Sequence, residues 1–195
     1  MKICLYGASS NFIDKSYIQA VEELGEIMAK RGHTLVYGGG SGGLMGAAAR
    51  GMTAQNGEII GISPSFFKVD GELYDKCTDF IYTETMSERK KLLEDYAEAF
   101  VVVPGGPGTF DELFETLALR QLGIHNKPIA IFNVNGYYNY LEAMLKNSVT
   151  EGFMMEECLE LTPLFENADV LLDYLEKYDS KGNEFSVLRK LGKDE

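Results

Sequence analysis

The chain has 195 residues, 45% of them hydrophobic, enough for one sizeable core and too few for two. Thirty acidic residues stand against 18 basic ones, a formal charge of −12, and no basic cluster exceeds Arg89-Lys90-Lys91, which excludes nucleic acid as a partner. Three cysteines (Cys4, Cys77, Cys158) lie far apart with no CxxC pair, so neither a zinc site nor a disulfide framework is expected, and no apolar run approaches the roughly 18 residues of a membrane span; the expectation is a cytoplasmic protein with no membrane partner.

In chain order, short apolar or β-branched runs alternate with segments of helical period, the pattern of a parallel sheet with helices on both faces. Strands are predicted at Lys2–Tyr6, Thr34–Tyr37, Glu58–Ile62, Asp79–Tyr82, Ala99–Val103 and Pro128–Phe132. The first helix carries Ile18, Val21, Leu24 and Met28 at steps of three and four, with Gly32 where a C-terminal cap is wanted. Further helices are expected at Leu44–Gln55, Ser87–Ala97, Phe110–Leu122, Tyr138–Thr150 and Ala168–Tyr178. The stretch Pro64–Lys76 is the longest without period and holds Phe66, Phe67 and Tyr74; such a loop covers a site or packs on a partner. From Asp179 the composition turns polar and charged, so one Rossmann-like α/β domain over residues 1–178 and a frayed tail over 179–195 are expected.

A strand runs through glycines into a helix three times, at "YGASSN", "YGGGSGGLMG" and "PGGPGTFDE". In an open α/β sheet these junctions share the carboxyl edge of the strands, where ligands bind, so they imply one crevice. The second contains G-x-G-x-x-G at Gly38, Gly40 and Gly43, but the dinucleotide fingerprint wants that loop after the first strand and an acid closing the next. Here the acid is Glu58, ahead of its strand. Without an acid after the second strand, where Tyr37-Gly38 stand, an NAD-dependent oxidoreductase is disfavoured. The third junction is more specific. Gly105, Gly106 and Gly108 let main-chain N–H groups converge, and the helix that follows contributes its positive end, a site for phosphate completed by the Thr109 hydroxyl.

Thr109 and Glu112 also have the spacing of a capping box, as do Thr85 and Glu88. Glu112 therefore reads as a helix cap or as a functional carboxylate. Arg89 and Lys90 favour the second reading, because cations near a helix start oppose its dipole and need another reason to be there. A cationic pair and a carboxylate around a phosphate cradle suggest chemistry on a phosphorylated sugar. His33 and His125 sit at no glycine loop and are read as structural or surface residues, and Tyr137-Tyr138 as the buried opening of a helix.

With "GGGSGGLMG", "SERKK" and "PGGPGTFDE" in this order, and "RQLGIHNKPIAIFNVNGYY" and "EGF" after them, the chain resembles the lonely guy family, often labelled lysine decarboxylase-like, from Met1 to about Tyr178. The resemblance implies removal of the base from adenosine-type 5′-monophosphates, AMP or N6-substituted cytokinin nucleotides, with release of ribose 5-phosphate, and it implies a homodimer. It carries the family's catalytic arginine onto Arg89 and its catalytic glutamate onto Glu112. Lys90 and the Gly105–Thr109 loop would hold phosphate and ribose; Gly40, Gly42, Ser9 and Ser10 would line the rest of the pocket. No lysine stands in a pyridoxal phosphate setting, and the implied reaction needs neither metal nor cofactor. The chain departs from the family pattern at Ser87, Glu88, Pro107 and Ala118, which bears on base preference more than on reaction type. The alternative reading is a non-catalytic nucleotide or cofactor carrier on the same fold.

Overall fold

The structure, a computed structural model, describes residues 1–68 and 71–180. Its seven strands form one parallel sheet in the order β4-β3-β2-β1-β5-β6-β7, with β1 (Lys2–Tyr6), β2 (Thr34–Tyr37), β3 (Ile59–Pro64), β4 (Asp79–Thr83), β5 (Ala99–Val102), β6 (Ile129–Phe132) and β7 (Leu164–Phe165). Chain order runs outward from β1 in one direction through β4, then resumes on the other side at β5. The switch point of this doubly wound sheet lies between β1 and β5. The α-helices among the described residues are α1 (Lys15–Lys30), α2 (Gly43–Ala54), α3 (Met86–Tyr96), α4 (Pro107–Gln121), α5 (Asn139–Thr150) and α6 (Ala168–Lys177).

Alternation along the strands divides the core in two. Ile3 and Leu5 of β1 face the layer of α1, α2 and α6, packing with Val21, Leu24, Met28, Met52 and Leu172. Cys4 and Tyr6 face the layer of α3, α4 and α5, with Leu93, Leu113 and Leu141. Because both faces are covered, the strands read as continuous apolar runs instead of alternating ones. The helix period predicted for α1 buries Val21, Leu24 and Met28, and Gly32 follows its end at a φ of 74°. Gly25 and Gly51 let α1 and α2 touch backbone to backbone, since a Cβ at either would strike the facing carbonyl of Ala48 or Glu22.

Two boundaries differ from the sequence expectation in ways that matter. The two-residue strand β7 is too short to leave a periodic trace. Helix α4 begins at Pro107 with Gly106 as its N-cap, three residues before the expected start at Phe110, because proline at the first helical position presets the backbone and loses no hydrogen bond. From residue 181 onward the expected tail lies outside the described residues. Among the described residues no helix is long and apolar enough to cross a membrane.

Candidate active site

The three glycine junctions meet at the carboxyl edge as the strand pattern requires, and they are bonded to one another. After β1, the Ala8 amide donates to the Pro104 carbonyl at 3.1 Å, and the Ala8 carbonyl accepts from Leu44 at the start of α2 at 2.8 Å. The Asn11 carboxamide oxygen accepts from the Gly43 amide at 2.9 Å. Gly7 packs so closely on Val103 that a Cβ there would enter the valine side chain. Residues 71–74 border the same space: Leu73 bridges to Gly40, the Ser41 amide donates to the Glu72 carbonyl at 2.9 Å, and the Tyr74 amide to the Gly39 carbonyl at 2.9 Å. Together these segments enclose a cleft of about 560 Å³, the size of a nucleotide-class site.

Arg89 and Glu112 form an ion pair on the wall of this cleft. An Arg89 guanidinium NH donates to Glu112 Oε1 at 2.8 Å, with side-chain exposures of 11% and 10%. Arg89 extends from the start of α3, whose capping box is intact: the Thr85 hydroxyl accepts from the Glu88 amide at 3.1 Å, and the Glu88 carboxylate accepts from the Thr85 amide at 3.3 Å. That reciprocal cap offsets the cost of a cation near a helix N-terminus. The guanidinium lies against Gly38, where any Cβ would collide with it.

Glu112 is no cap. With α4 starting at Pro107, it sits in the second turn and shares a buried face with Thr109 and Thr116. Burial pushes its carboxyl above the usual range, and the charges of Arg89 and, more weakly, Lys90 pull against that shift. A buried carboxylate whose pKa is raised by burial and drawn back by one arginine is a perturbed group in a cleft, a functional-site signature. Behind it, Tyr6 and Thr116 hydroxyls meet at 3.2 Å, and burial drives the Cys4 thiol far upward, so it is no thiolate nucleophile.

The cleft brings together Ser9, Ser10, Gly40, Gly42, Gly106, Gly108, Thr109, Arg89 and Glu112 of the residues expected at the site. Gly105 stands behind the others: it is buried, and a Cβ there would overlap the Thr109 side chain. Lys90 lies elsewhere. It pairs with Asp111 at 3.1 Å and Glu115 at 2.8 Å and lines a smaller cavity between α3 and α4, which meets the main cleft only at Glu112. One residue is about 100° of helix rotation, enough to turn Lys90 away from the face that carries Arg89. Ala118 is exposed on α4, and Pro107 lines the cleft mouth.

Asn11, Met86 and Asp111 also line the cleft and were given no role by the sequence, nor was Gly38, although it lies inside a recognised glycine loop; Phe67 and Leu73 come from the Pro64–Lys76 stretch, expected to cover a site or pack on a partner. His33 and His125 are structural, as read: His33 Nε2 meets Glu176 at 2.8 Å, and His125 Nε2 meets the Thr116 carbonyl at 3.2 Å, with burial pushing His125 down to about 4. Of the tyrosine pair only Tyr138 is buried; Tyr137 is 40% exposed. Glu58 accepts from the Thr34 hydroxyl at the amino edge of the sheet, away from the glycine loops and unable to serve a dinucleotide ribose there.

A doubly wound parallel sheet with interlocked glycine loops at its switch point, and a buried arginine–carboxylate pair beside them, defines a Rossmann-like α/β protein with a nucleotide-sized cleft. The family described as "Possible lysine decarboxylase" matches residues 45–175. The cytokinin riboside 5′-monophosphate phosphoribohydrolase LOG5 of Arabidopsis thaliana is 36% identical over 91% of this chain and 78% of its own. A probable enzyme of the same name, LOG4 of Oryza sativa subsp. japonica, is 38% identical over 89% of this chain and 75% of its own. The chain belongs to this lonely guy family. Among solved structures, the molybdenum cofactor carrier protein of Chlamydomonas reinhardtii superposes with a TM-score of 0.69 at 23% identity, covering 90% of this chain and 95% of its own. The molybdenum cofactor binding protein of Rippkaea orientalis does so with a TM-score of 0.67 at 21% identity, covering 90% and 94%. These two share the fold.

Proposed function

We propose that the protein hydrolyses the N-glycosidic bond of adenosine-type nucleoside 5′-monophosphates, AMP or an N6-substituted cytokinin nucleotide, releasing the free base and ribose 5-phosphate. The observation that carries this reading is the buried Arg89–Glu112 pair at 2.8 Å on the wall of a cleft that also holds the start of α4. The amides of Gly106, Gly108 and Thr109 and the Thr109 hydroxyl take the 5′-phosphate, since Pro107 has no N–H to give and the first turn of a helix leaves its donors unpaired. With the phosphate anchored there, C1′ is brought beside Glu112.

In the reaction the C1′–N bond breaks, water oxygen bonds to C1′, and a proton goes to the departing base. Positive charge builds on the sugar, as in glycoside hydrolysis. The Glu112 carboxylate stabilises that charge and orients the water. Arg89 favours the ionised form of Glu112 and offers its remaining donors to the negative charge that grows on the leaving purine or to the phosphate. Binding energy from the remote phosphate thereby positions the reacting carbon. No step calls on a metal or cofactor.

The exposed, mutually packed Phe66 and Phe67, at 61% and 48% exposure beside the cleft, support a homodimer in which one protomer closes the other's crevice; sedimentation finding only a 21.7 kDa species at micromolar concentration would overturn this. Three cysteines far apart in the chain, with no CxxC pair, support a reducing, cytoplasmic setting. The test of the activity is incubation with AMP and, separately, adenosine, followed by assay for free adenine. AMP should be cleaved far faster than adenosine, which lacks the anchored group. Comparable rates would sink the phosphate site, and binding without any cleavage would make the protein a carrier.

A further inference from the structure

Two consecutive tyrosines reach the phosphate loop from behind. Tyr138 Oη donates to the Val103 carbonyl at 2.8 Å and Tyr137 Oη to the Gly105 carbonyl at 2.6 Å, so the pair grips the carbonyls on either side of Pro104. Both belong to the turn that leads from β6 into α5. That turn is itself fixed: the Asn133 side chain accepts from the Tyr138 amide at 2.7 Å and donates to Asn139 at 2.8 Å, Asn135 donates to Ser16 at 2.8 Å, and the Tyr137 ring packs edge-on against Tyr17 and Tyr138. Tyr138 is buried and explained by packing. Tyr137 is partly exposed, and its hydroxyl gives its donor to the carbonyl of a buried glycine in the phosphate loop.

The consequence follows from peptide geometry. The described residues contain no cis peptide bond, and in a trans peptide the carbonyl and the next N–H point in opposite directions. Holding the Gly105 oxygen toward Tyr137 therefore turns the Gly106 N–H the other way, and Gly106 lines the cleft. A glycine-rich loop has the backbone freedom to rotate that peptide, so without the hydroxyl nothing local selects the orientation that serves an anion.

We infer that Tyr137 is a positioning residue: its hydroxyl locks the Gly105–Gly106 peptide so that the loop presents its amide to the phosphate of the substrate. This rests on the nucleotide-hydrolase reading above. Its effect is on phosphate affinity and hardly at all on bond cleavage, because Tyr137 acts through the loop and is absent from the cleft lining.

The test is Tyr137→Phe, which deletes the hydroxyl and keeps the ring. With AMP as substrate, KM should rise about three- to tenfold, the worth of one hydrogen bond, while kcat stays within about twofold. As product inhibitors, ribose 5-phosphate should weaken by the same factor and adenine, which has no phosphate, should be unchanged. An unaltered KM and ribose 5-phosphate inhibition overturn the inference. So does an equal loss for adenine, or a fall in kcat with KM unchanged, either of which would mark a general structural role. If the wild-type protein neither cleaves AMP nor binds ribose 5-phosphate, the functional reading itself fails and this inference falls with it.

Discussion

Arg31 and Arg89 both stand near a helix end and both bind carboxylates, yet their surroundings give them different work. Arg31, at the end of α1, faces three acids of α6: Asp169 at 2.6 Å, Asp173 at 2.8 Å and Glu176 at 3.2 Å. Those partners are 61%, 48% and 35% exposed, so water and salt screen the cluster. It ties α1 to α6 on the outside of the sheet and has no part in the cleft that Arg89 lines. Among the described residues Arg89 pairs with a single carboxylate, buried with it, beside glycine loops that leave room for a ligand. Burying a charge pair costs desolvation that packing does not require. An ion pair marks a functional site when it is placed where an apolar pair would have been more stable, and the number of its partners says little.

The sharpest way to break this contrast is Glu112→Gln. The amide is nearly isosteric, so the protein should fold, but turnover of AMP should fall roughly 100-fold or more, the loss expected for one electrostatic stabiliser, while binding of ribose 5-phosphate survives. Near-normal turnover in a folded variant would return Glu112 to a structural role. Steady-state kinetics beside a thermal melt decides it.

Arg89→Ala should lose activity on a similar scale, and its residual activity carries a second reading. The proposed mechanism works through ionised Glu112, so kcat/KM should fall as pH drops through its raised pKa, placing the acid limb above the ordinary glutamate value of about 4.3. Arg89 lowers that pKa, so removing it should move the limb to still higher pH. A limb that stays put, or moves to lower pH, would refute the coupling. Gly38→Ala is milder. Its methyl meets the guanidinium and not backbone, so the fold should hold while kcat drops about tenfold from displacement of Arg89; an unchanged kcat would mean that the arginine shifts without consequence.

The smallest effect belongs to Arg31→Ala. Stability should fall by about 1 kcal/mol, less at high salt, with kcat and KM for AMP unchanged. Lost activity in that variant would erase the distinction between the two arginines.

Much of the scaffold was legible before the fold was seen. The periods of α1 and the apolar strand runs were correct because each is set by residues adjacent in the chain. Three glycine junctions implied one crevice because a parallel sheet gathers all its strand ends on one edge. Thr109 and Glu112 were ambiguous for the same local reason: T-x-x-E fits a capping box whenever a helix starts at the threonine, and only the observed start at Pro107 removes that option.

Taken alone, the sequence determined the layered α/β architecture, the glycine loops and, through its resemblance to the lonely guy family, the choice of Arg89 and Glu112. These depend on short-range pattern and on motif. Tertiary structure decided which groups meet: Arg89 with Glu112, 23 residues apart, Lys90 with the outer acids of α4, Gly38 under the guanidinium, and Tyr137 on the Gly105 carbonyl, 32 residues apart. Such contacts follow from the order of strands in the sheet and the rotation of each helix upon it, which bring distant segments to one edge by burying their apolar faces, and no local spacing in the chain encodes the result.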